Sequence, residues 1–342
     1  MHTTLRDMLR ELVSGRDLSR DQMMTAMHLI MSGQASAAQI GAFLVALRMK
    51  GETVEEIAAA ATAMREHVLR VNHGFERVLD TCGTGGDGAS TFNISTTVAF
   101  VCAGAGVPIA KHGNRAVSSR SGSADVLEQL GVNIMLSPDQ GHECLADIGF
   151  AFLFAPSHHP AMKHVAGPRR DIGVRSVMNL LGPLTNPAMA TNQLVGIYDS
   201  RRVASVARVL VTLGVRRAVV VHGAGGLDEV SPAGATAIAV GDPSGVTEYS
   251  THPSDFGFEP ISLESIAGGD ATCNADIIRS VLNGSSGAYR TTTLLNAAWA
   301  LYAAEAVPTA QEGLIMAQRS LDSGRALQAL DRLVEWTQSR AQ

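Results

Sequence analysis

Apolar residues recur at helical spacing through the first seventy positions. Leu5, Met8, Leu9 and Leu12 keep the i, i+3, i+4, i+7 interval, and Gly15 ends the run. Three further helices carry their own start signals. Ser19 with Gln22, Ser36 with Gln39, and Thr53 with Glu56 are capping boxes, in which the two side chains satisfy amides that the first helical turn leaves unpaired. These boxes open segments bearing Met23, Met27, Ile30 and Met31, then Ile40, Phe43, Leu44 and Leu47, then Ile57, Ala60, Ala61 and Met64. The pattern predicts a helical packing module over residues 1–70 with no group suited to chemistry. Its Met- and Ala-rich faces either close an internal core or bury a partner subunit.

From about Phe75 the period changes. Short apolar runs at 77–79, 107–110, 132–135, 151–155, 194–198 and 217–222 read as strands separated by helical segments, which predicts a parallel or mixed sheet with crossover helices. Runs at 236–240 and 246–249 complete the sheet, and alanine-rich helices after Asn274 cover it. Residues 160–187 read as irregular and partly helical. They concentrate Lys163, His164, Arg169, Arg170 and Arg175, and they are expected to pack on the helical module as the hinge side of a cleft. The expected class is α/β: a helical domain over 1–70, joined by part of 160–190, and an α/β domain over 71–342.

Composition narrows the function. Hydrophobic residues make up 46% of the chain, charged residues only 17%, and the net charge is −5. That balance argues against a general nucleic-acid binder, which needs a basic excess. The N-terminus lacks an apolar signal-peptide core and no run reaches the length of a membrane span, so a cytoplasmic location is expected. Cys82, Cys102, Cys144 and Cys273 are scattered without metal-ligand spacing and read as reduced thiols; Cys82 reads as a small packing residue, not a nucleophile.

Chemistry concentrates at strand ends. After the 77–79 strand, Gly83, Gly85, Gly86 and Gly88 expose backbone amides, and the helix opening near residues 93–96 aims its positive end at the same spot, a combination suited to an anion. The next strand delivers Lys111, His112, Asn114, Arg115, Ser118 and Ser119, a clamp of cations and neutral donors. Two anion-reading loops at consecutive strand ends point to a ligand with more than one phosphate. A third strand end brings Pro156, Ser157, His158 and His159. After a glycine turn, Asp228 and Glu229 are adjacent carboxylates suited to Mg²⁺ beside a polyphosphate.

The stretches GTGGD (83–87), NIST (93–96), KHGNR (111–115), SGSADVLEQLG (121–131), 157–187 and VHGAGGLDEVSP (221–232) resemble, in the same order, the motifs of the anthranilate phosphoribosyltransferase family, which performs the second step of tryptophan biosynthesis from chorismate. The resemblance implies a mixed, mostly parallel central sheet of the nucleoside phosphorylase/phosphoribosyltransferase kind. It also implies a homodimer formed through the helical domain. The implied reaction moves the phosphoribosyl group of 5-phosphoribosyl 1-pyrophosphate (PRPP) to the amine of anthranilate, giving N-(5-phosphoribosyl)anthranilate and pyrophosphate. Carried over residue by residue, it places PRPP at Gly83, Gly86, Asp87, Thr91, Asn93, Ile94, Ser95, Thr96, Lys111, His112, Gly113, Asn114, Arg115, Ala116, Val117, Ser118, Ser119 and Ser123. Anthranilate falls to Gly83, His112, Asn114, His159 and Arg169, and Mg²⁺ to Ser95, Asp228 and Glu229. No residue is assigned as acid or base, because an aromatic amine is neutral with a free lone pair; His112 and His159 are expected to orient. Two other readings stay open. A nucleoside phosphorylase would also bind phosphate and ribose at such loops, but GTGGD and KHGNR with Arg169 suit pyrophosphate and a carboxylated ring. A non-catalytic, nucleic-acid-binding relative would lose the acidic pair and gain a basic surface.

Overall fold

The computed structural model describes residues 4–116 and 120–340. Its first four helices are α1 (Leu5–Val13), α2 (Arg20–Met31), α3 (Ala37–Lys50) and α4 (Val54–Glu66). The three expected capping boxes are closed at Ser19, Ser36 and Thr53, and Thr4 with Asp7 forms a fourth at the start of α1.

Beyond them, β1 (Leu79–Gly83) leads through α5 (Ile94–Gly104) to β2 (Ile109–Gly113). From there α6 (Ser123–Gln129) and α7 (Pro138–Ile148) lead to β3 (Phe150–Phe154). The chain returns through α8 (Ala155–His158), α9 (Lys163–Ile172) and α10 (Met178–Leu184) to β4 (Asn192–Gly196), then through α11 (Val203–Thr212) to β5 (Arg217–Gly223). The hairpin β6 (Thr236–Asp242) and β7 (Gly245–Thr251) follows, then α12 (Ala271–Leu282), α13 (Ala288–Ala303), α14 (Ala310–Asp322) and α15 (Arg325–Gln338). The strands form one sheet in the order β3-β2-β1-β4-β5-β6-β7, parallel from β3 to β5 and antiparallel from β5 to β7. The expected mixed, mostly parallel architecture is therefore present.

One local expectation fails. Residues 132–135 form no strand among the described residues: the Val132 amide turns back to the Leu127 carbonyl at 2.9 Å, and the Asn133 amide donates to Thr337 Oγ1 at 3.1 Å. The alternation of Val132 and Ile134 arises from packing under α15 and not from a ladder. The 160–187 segment is partly helical, as expected, with α9 and α10 each containing an internal proline, Pro168 and Pro183.

Alternation along the strands sorts the core into two layers. Leu194, Val219 and Val221 join the layer under α5 and α12–α15, whereas Val195, Ala218 and Val220 join the layer holding α1–α4 and α9–α11. Close contacts seat α9 on the helical module: a Cβ at Gly41 would lie 3.3 Å from Ile172 Cγ2, and one at Gly33 would meet the His164 ring. Arg65, at the end of α4, donates to the Leu184 carbonyl at 2.7 Å and the Leu213 carbonyl at 2.9 Å. It thereby caps α10 and α11 with a cation, where their dipoles favour one. Among the described residues no helix is long and apolar enough to cross a membrane.

Candidate active site

Strand order determines where a ligand collects. The chain winds from β1 through β2 to β3, then returns to the other side of β1 with β4, so the crossovers diverge between β1 and β4 and open a crevice beyond their carboxyl ends. The loops that follow β1, β2, β3 and β5 surround it.

Two glycines let the β5 loop lie across β1 and β4. A Cβ on Gly83 would overlap Oδ2 of Asp228 and stand 3.0 Å from its Cγ; one on Gly196 would fall on the Asp228 carbonyl and lie 3.1 Å from its Cα. With that space open, the Gly85 amide donates to Asp228 Oδ2 at 2.6 Å. Glu229 is buried beside it and is hydrogen-bonded by the backbone of Ser95. Burial raises both carboxyl groups. Asp228 is pushed to about 7, with repulsion from Asp87 contributing, and Glu229 well above its ordinary value, with repulsion from Asp228 contributing.

Lys111 on β2 is the buried cation of the site. Its Nζ donates to the Thr81 carbonyl and, at 3.3 Å, to Ser95 Oγ. Burial lowers its pKa, opposed by Asp80, whose carboxylate is in turn raised by burial and held down by Lys111. Asp80 accepts from Asn186 Nδ2 at 2.8 Å and from the His112 amide at 3.2 Å, which satisfies its lone pairs and ties β1, β2 and the end of α10 together. Beyond Ser95, Thr96 Oγ1 is buried in the first turn of α5 without a partner among the described residues.

The ends of β2 and β3 bring His112 and His159 together, with ring centroids 5.0 Å apart. The backbones of Gly182 and Thr185 hydrogen-bond the two rings, and the Nε2 of each is buried without a partner among the described residues. Burial pushes His159 down to about 4 and His112 well below the ordinary imidazole value, each neighbouring histidine adding to the effect. Both rings are neutral at pH 7. Arg169, on α9, is half-buried with no hydrogen bond or ion pair among the described residues, and burial lowers its pKa.

The other expected site residues divide. Asp87 Oδ1 accepts from the Ala89 amide at 3.1 Å, and Thr91 bridges Ala267. Asn93 donates through Nδ2 to the Ser121 carbonyl at 3.2 Å, and Ile94 is buried at the start of α5. Asn114 is exposed, its Oδ1 accepting from the Arg115 amide at 2.8 Å, and its carbonyl accepts from Ser123 Oγ at 3.4 Å. Gly113 is pressed against Phe152, and the Ala116 amide donates to Asp125 at 2.9 Å. Arg115 faces α6, paired with Glu128 and, at 3.1 Å, with Asp125. Val117, Ser118 and Ser119 lie outside the described residues. Cys82 is buried, and burial with Asp80 nearby raises its thiol far above the reactive range, as suits a packing residue.

Sequence reasoning assigned no role to Asp80, Asn186 or Arg175. Asp80 had a signal, a charge inside an apolar strand. Arg175 donates to the Gly86 carbonyl and stacks over Tyr198 at 4.1 Å, joining the hinge segment to the glycine loop.

The donor chemistry fits a hard cation. Among the described residues no three His, Cys, Asp or Glu side chains form a complete ligand set. Asp228 and Glu229 therefore suit an ion shared with phosphate and water oxygens, the usual situation for Mg²⁺.

Known proteins resemble the chain along its whole length. Residues 6–68 match the helical bundle domain of a glycosyl transferase family, and residues 75–327 match the a/b domain of a glycosyl transferase family. The anthranilate phosphoribosyltransferase of Moorella thermoacetica is 52% identical, over 98% of this chain and 99% of that protein. The crystal structure of anthranilate phosphoribosyltransferase from Thermus thermophilus superposes with a TM-score of 0.92 at 40% identity, covering 96% of this chain and 99% of that one. The Saccharomyces cerevisiae enzyme in complex with PRPP and Mg superposes with a TM-score of 0.90 at 31% identity, covering 99% of each chain.

Proposed function

We propose, from the premise that this chain belongs to the anthranilate phosphoribosyltransferase family, an assignment of its cleft residues to the steps of that family's reaction. The chain is a glycosyltransferase of tryptophan biosynthesis that transfers the phosphoribosyl group of PRPP to the amine of anthranilate and releases pyrophosphate. The observation that carries the assignment is the adjacent carboxylate pair at the crevice: Asp228, laid across β1 and β4 over Gly83 and Gly196, and Glu229, buried next to it.

As the bond from ribose C1 to pyrophosphate breaks, the sugar gains positive charge and the leaving group negative charge. Preorganised donors aimed at that departing anion supply most of the rate. In this reading the 83–87 amides, Lys111 and Ser95 bind the pyrophosphate, while Asn93, Thr96, Ser118 and Ser119 hold the phosphate oxygens. Mg²⁺, held by Asp228, Glu229 and Ser95, would neutralise charge on the pyrophosphate.

Anthranilate is held at its carboxylate by Arg169 and Asn114, which supports attack by the amine lone pair on C1. The nitrogen loses its proton after the new bond forms, and a protonated N-aryl amine is a strong acid, so a weak base suffices. His112 and His159 are neutral, with Nε2 atoms that have no partner among the described residues, and this supports their orienting the amine through its N–H.

The proposed domains are residues 1–70 with part of 160–190, and 71–342. The shared apolar layer of α1–α4 with α9–α11 supports this division. A homodimer through the helical domain is proposed, supported by Val13 and Met49, apolar and 78% and 84% exposed on that domain. A cytoplasmic location is proposed, supported by four free thiols, three of them buried. The test mixes protein, PRPP and anthranilate with and without Mg²⁺ and follows anthranilate fluorescence and pyrophosphate. Metal-dependent loss of anthranilate matched by pyrophosphate is expected. Binding of PRPP without turnover would move the acceptor to another amine.

A further inference from the structure

We propose that Asn274 is a positioning residue for PRPP, holding the side-chain amide of Asn93 and through it the relation between the loops that follow β1 and β2. Asn274 lies in none of the loops that deliver ligand-directed side chains; it sits in the first turn of α12. The segment before it, residues 266–273, is a strap laid on the β1 loop. The Phe92 amide donates to the Ile266 carbonyl at 3.2 Å, the Gly268 amide donates to the Ser90 carbonyl at 2.8 Å, and Thr91 and Ala267 form an antiparallel bridge. A Cβ at Gly268 would lie 2.6 Å from the Thr91 carbonyl oxygen and 2.8 Å from Phe92 Cα, so only glycine lets the strap lie this close. Tyr289 anchors it from α13, donating to the Ala267 carbonyl at 2.8 Å while its ring meets Phe92 edge-on at 5.1 Å.

Asn274 joins this strap to the site. It is 2% exposed and both ends of its amide are engaged. Oδ1 accepts from the Gly269 amide at 2.8 Å, and Nδ2 donates to Asn93 Oδ1 at 2.8 Å. That donation fixes the orientation of the Asn93 amide. With Oδ1 committed to Asn274, Nδ2 faces the Ser121 carbonyl and donates at 3.2 Å. Asn93 stands at the N-cap of α5 yet makes no capping bond, so its side chain serves as a tie between the β1 loop and the β2 loop. Asn274 sets the direction of that tie.

The inference rests on the reading that both loops hold PRPP. It is tested on the full-length enzyme by the KM values of both substrates, calorimetric binding of PRPP with Mg²⁺, and thermal unfolding. N274D keeps the shape and the bond from Gly269 but sets a carboxylate oxygen against Asn93 Oδ1; N274A removes the tie. Loss of one buried hydrogen bond corresponds to about a tenfold rise in KM and Kd for PRPP. KM for anthranilate should stay at the wild-type value and N274D should unfold near the wild-type temperature. An equal rise in both KM values overturns the proposal, as does a fall in kcat alone. Failure of both variants to fold makes Asn274 structural and also overturns it. N93A separates the two levels. Weakened PRPP binding by N93A beside a normal N274D overturns only the role of Asn274, whereas normal PRPP binding by N93A overturns the reading of the loop.

Discussion

Replacing Gly83 by Ala tests whether the bare end of β1 is what places Asp228. The new methyl would overlap Oδ2 and stand 3.0 Å from Cγ, against an ordinary carbon–carbon contact of about 3.5–4.0 Å. The obstructing atoms end a side chain, so rotation of Asp228 relieves most of the overlap. The loss of stability should be about 1 kcal/mol, the low end for overpacking. Rotation breaks the 2.6 Å hydrogen bond from Gly85 and moves the carboxylate by about 1 Å, a displacement that lowers a positioning-dependent rate by about 10²-fold. The assay is loss of anthranilate fluorescence across a Mg²⁺ titration, with thermal unfolding in parallel. Gly83→Ala should raise the half-saturating Mg²⁺ concentration and lower kcat/KM for PRPP by about a hundredfold, with a melting temperature only a few degrees lower. Gly196→Ala is the contrast. There the overlap is with the main-chain carbonyl of Asp228, which cannot rotate away, and a destabilisation of about 3 kcal/mol or more is expected. A Gly83→Ala enzyme with wild-type Mg²⁺ dependence and activity would refute the placement of Asp228 by β1.

Three further outcomes are expected. Arg169→Ala should raise KM for anthranilate about tenfold or more, as for loss of a charge-assisted bond, and leave KM for PRPP unchanged; an equal change in both would remove Arg169 from the acceptor site. Asp228→Asn and Glu229→Gln should each raise the Mg²⁺ requirement, and an unchanged metal titration would discard their role as ligands. His159 titrates at about 4 when folded and near 6.5 when unfolded, so the unfolded chain binds more protons between those values and stability falls as pH drops through that window. The loss at pH 5 is about 2 kcal/mol. Urea unfolding at pH 7 and pH 5 should show a smaller loss in His159→Gln than in the parent, and identical losses would show that His159 is not the group responsible.

How much of this was legible depended on sequence distance. The helix starts at Ser19, Ser36 and Thr53 were readable because a capping box is complete within four residues. The glycine loop and the 111–115 clamp were readable because each lies at the carboxyl end of its own strand. The α9 and α10 helices were obscured because Pro168 and Pro183 interrupt the periodicity that marks a helix, although the fold accommodates both. At Val132 and Ile134 a period of two arose without a strand. The hardest features were long-range: Asp80 with Asn186, Gly196 beneath Asp228, and Asn274 against Asn93. In each, the meaning of one residue depends on a neighbour that only the folded chain brings to it, and no local pattern encodes that.

In the proposed assignment the electrostatics of the cleft suit its two substrates to different walls. On the sheet side, burial raises Asp228 and Glu229, so their anionic forms need a positive partner, and Lys111 is the chain's cation there. Lys111 is itself already engaged by Asp80, Thr81 and Ser95. A divalent cation would stabilise the carboxylates, and a polyphosphate would then balance the added positive charge. On the helical side, burial lowers Arg169, whose charged form is favoured by an anion. His112 and His159 are held neutral and add no positive charge to the cleft. In the proposed assignment the carboxylate of a single anionic ring is that partner of Arg169. In the same assignment the phosphoribosyl donor would then lie over the sheet and the acceptor toward α9, with C1 passing between them.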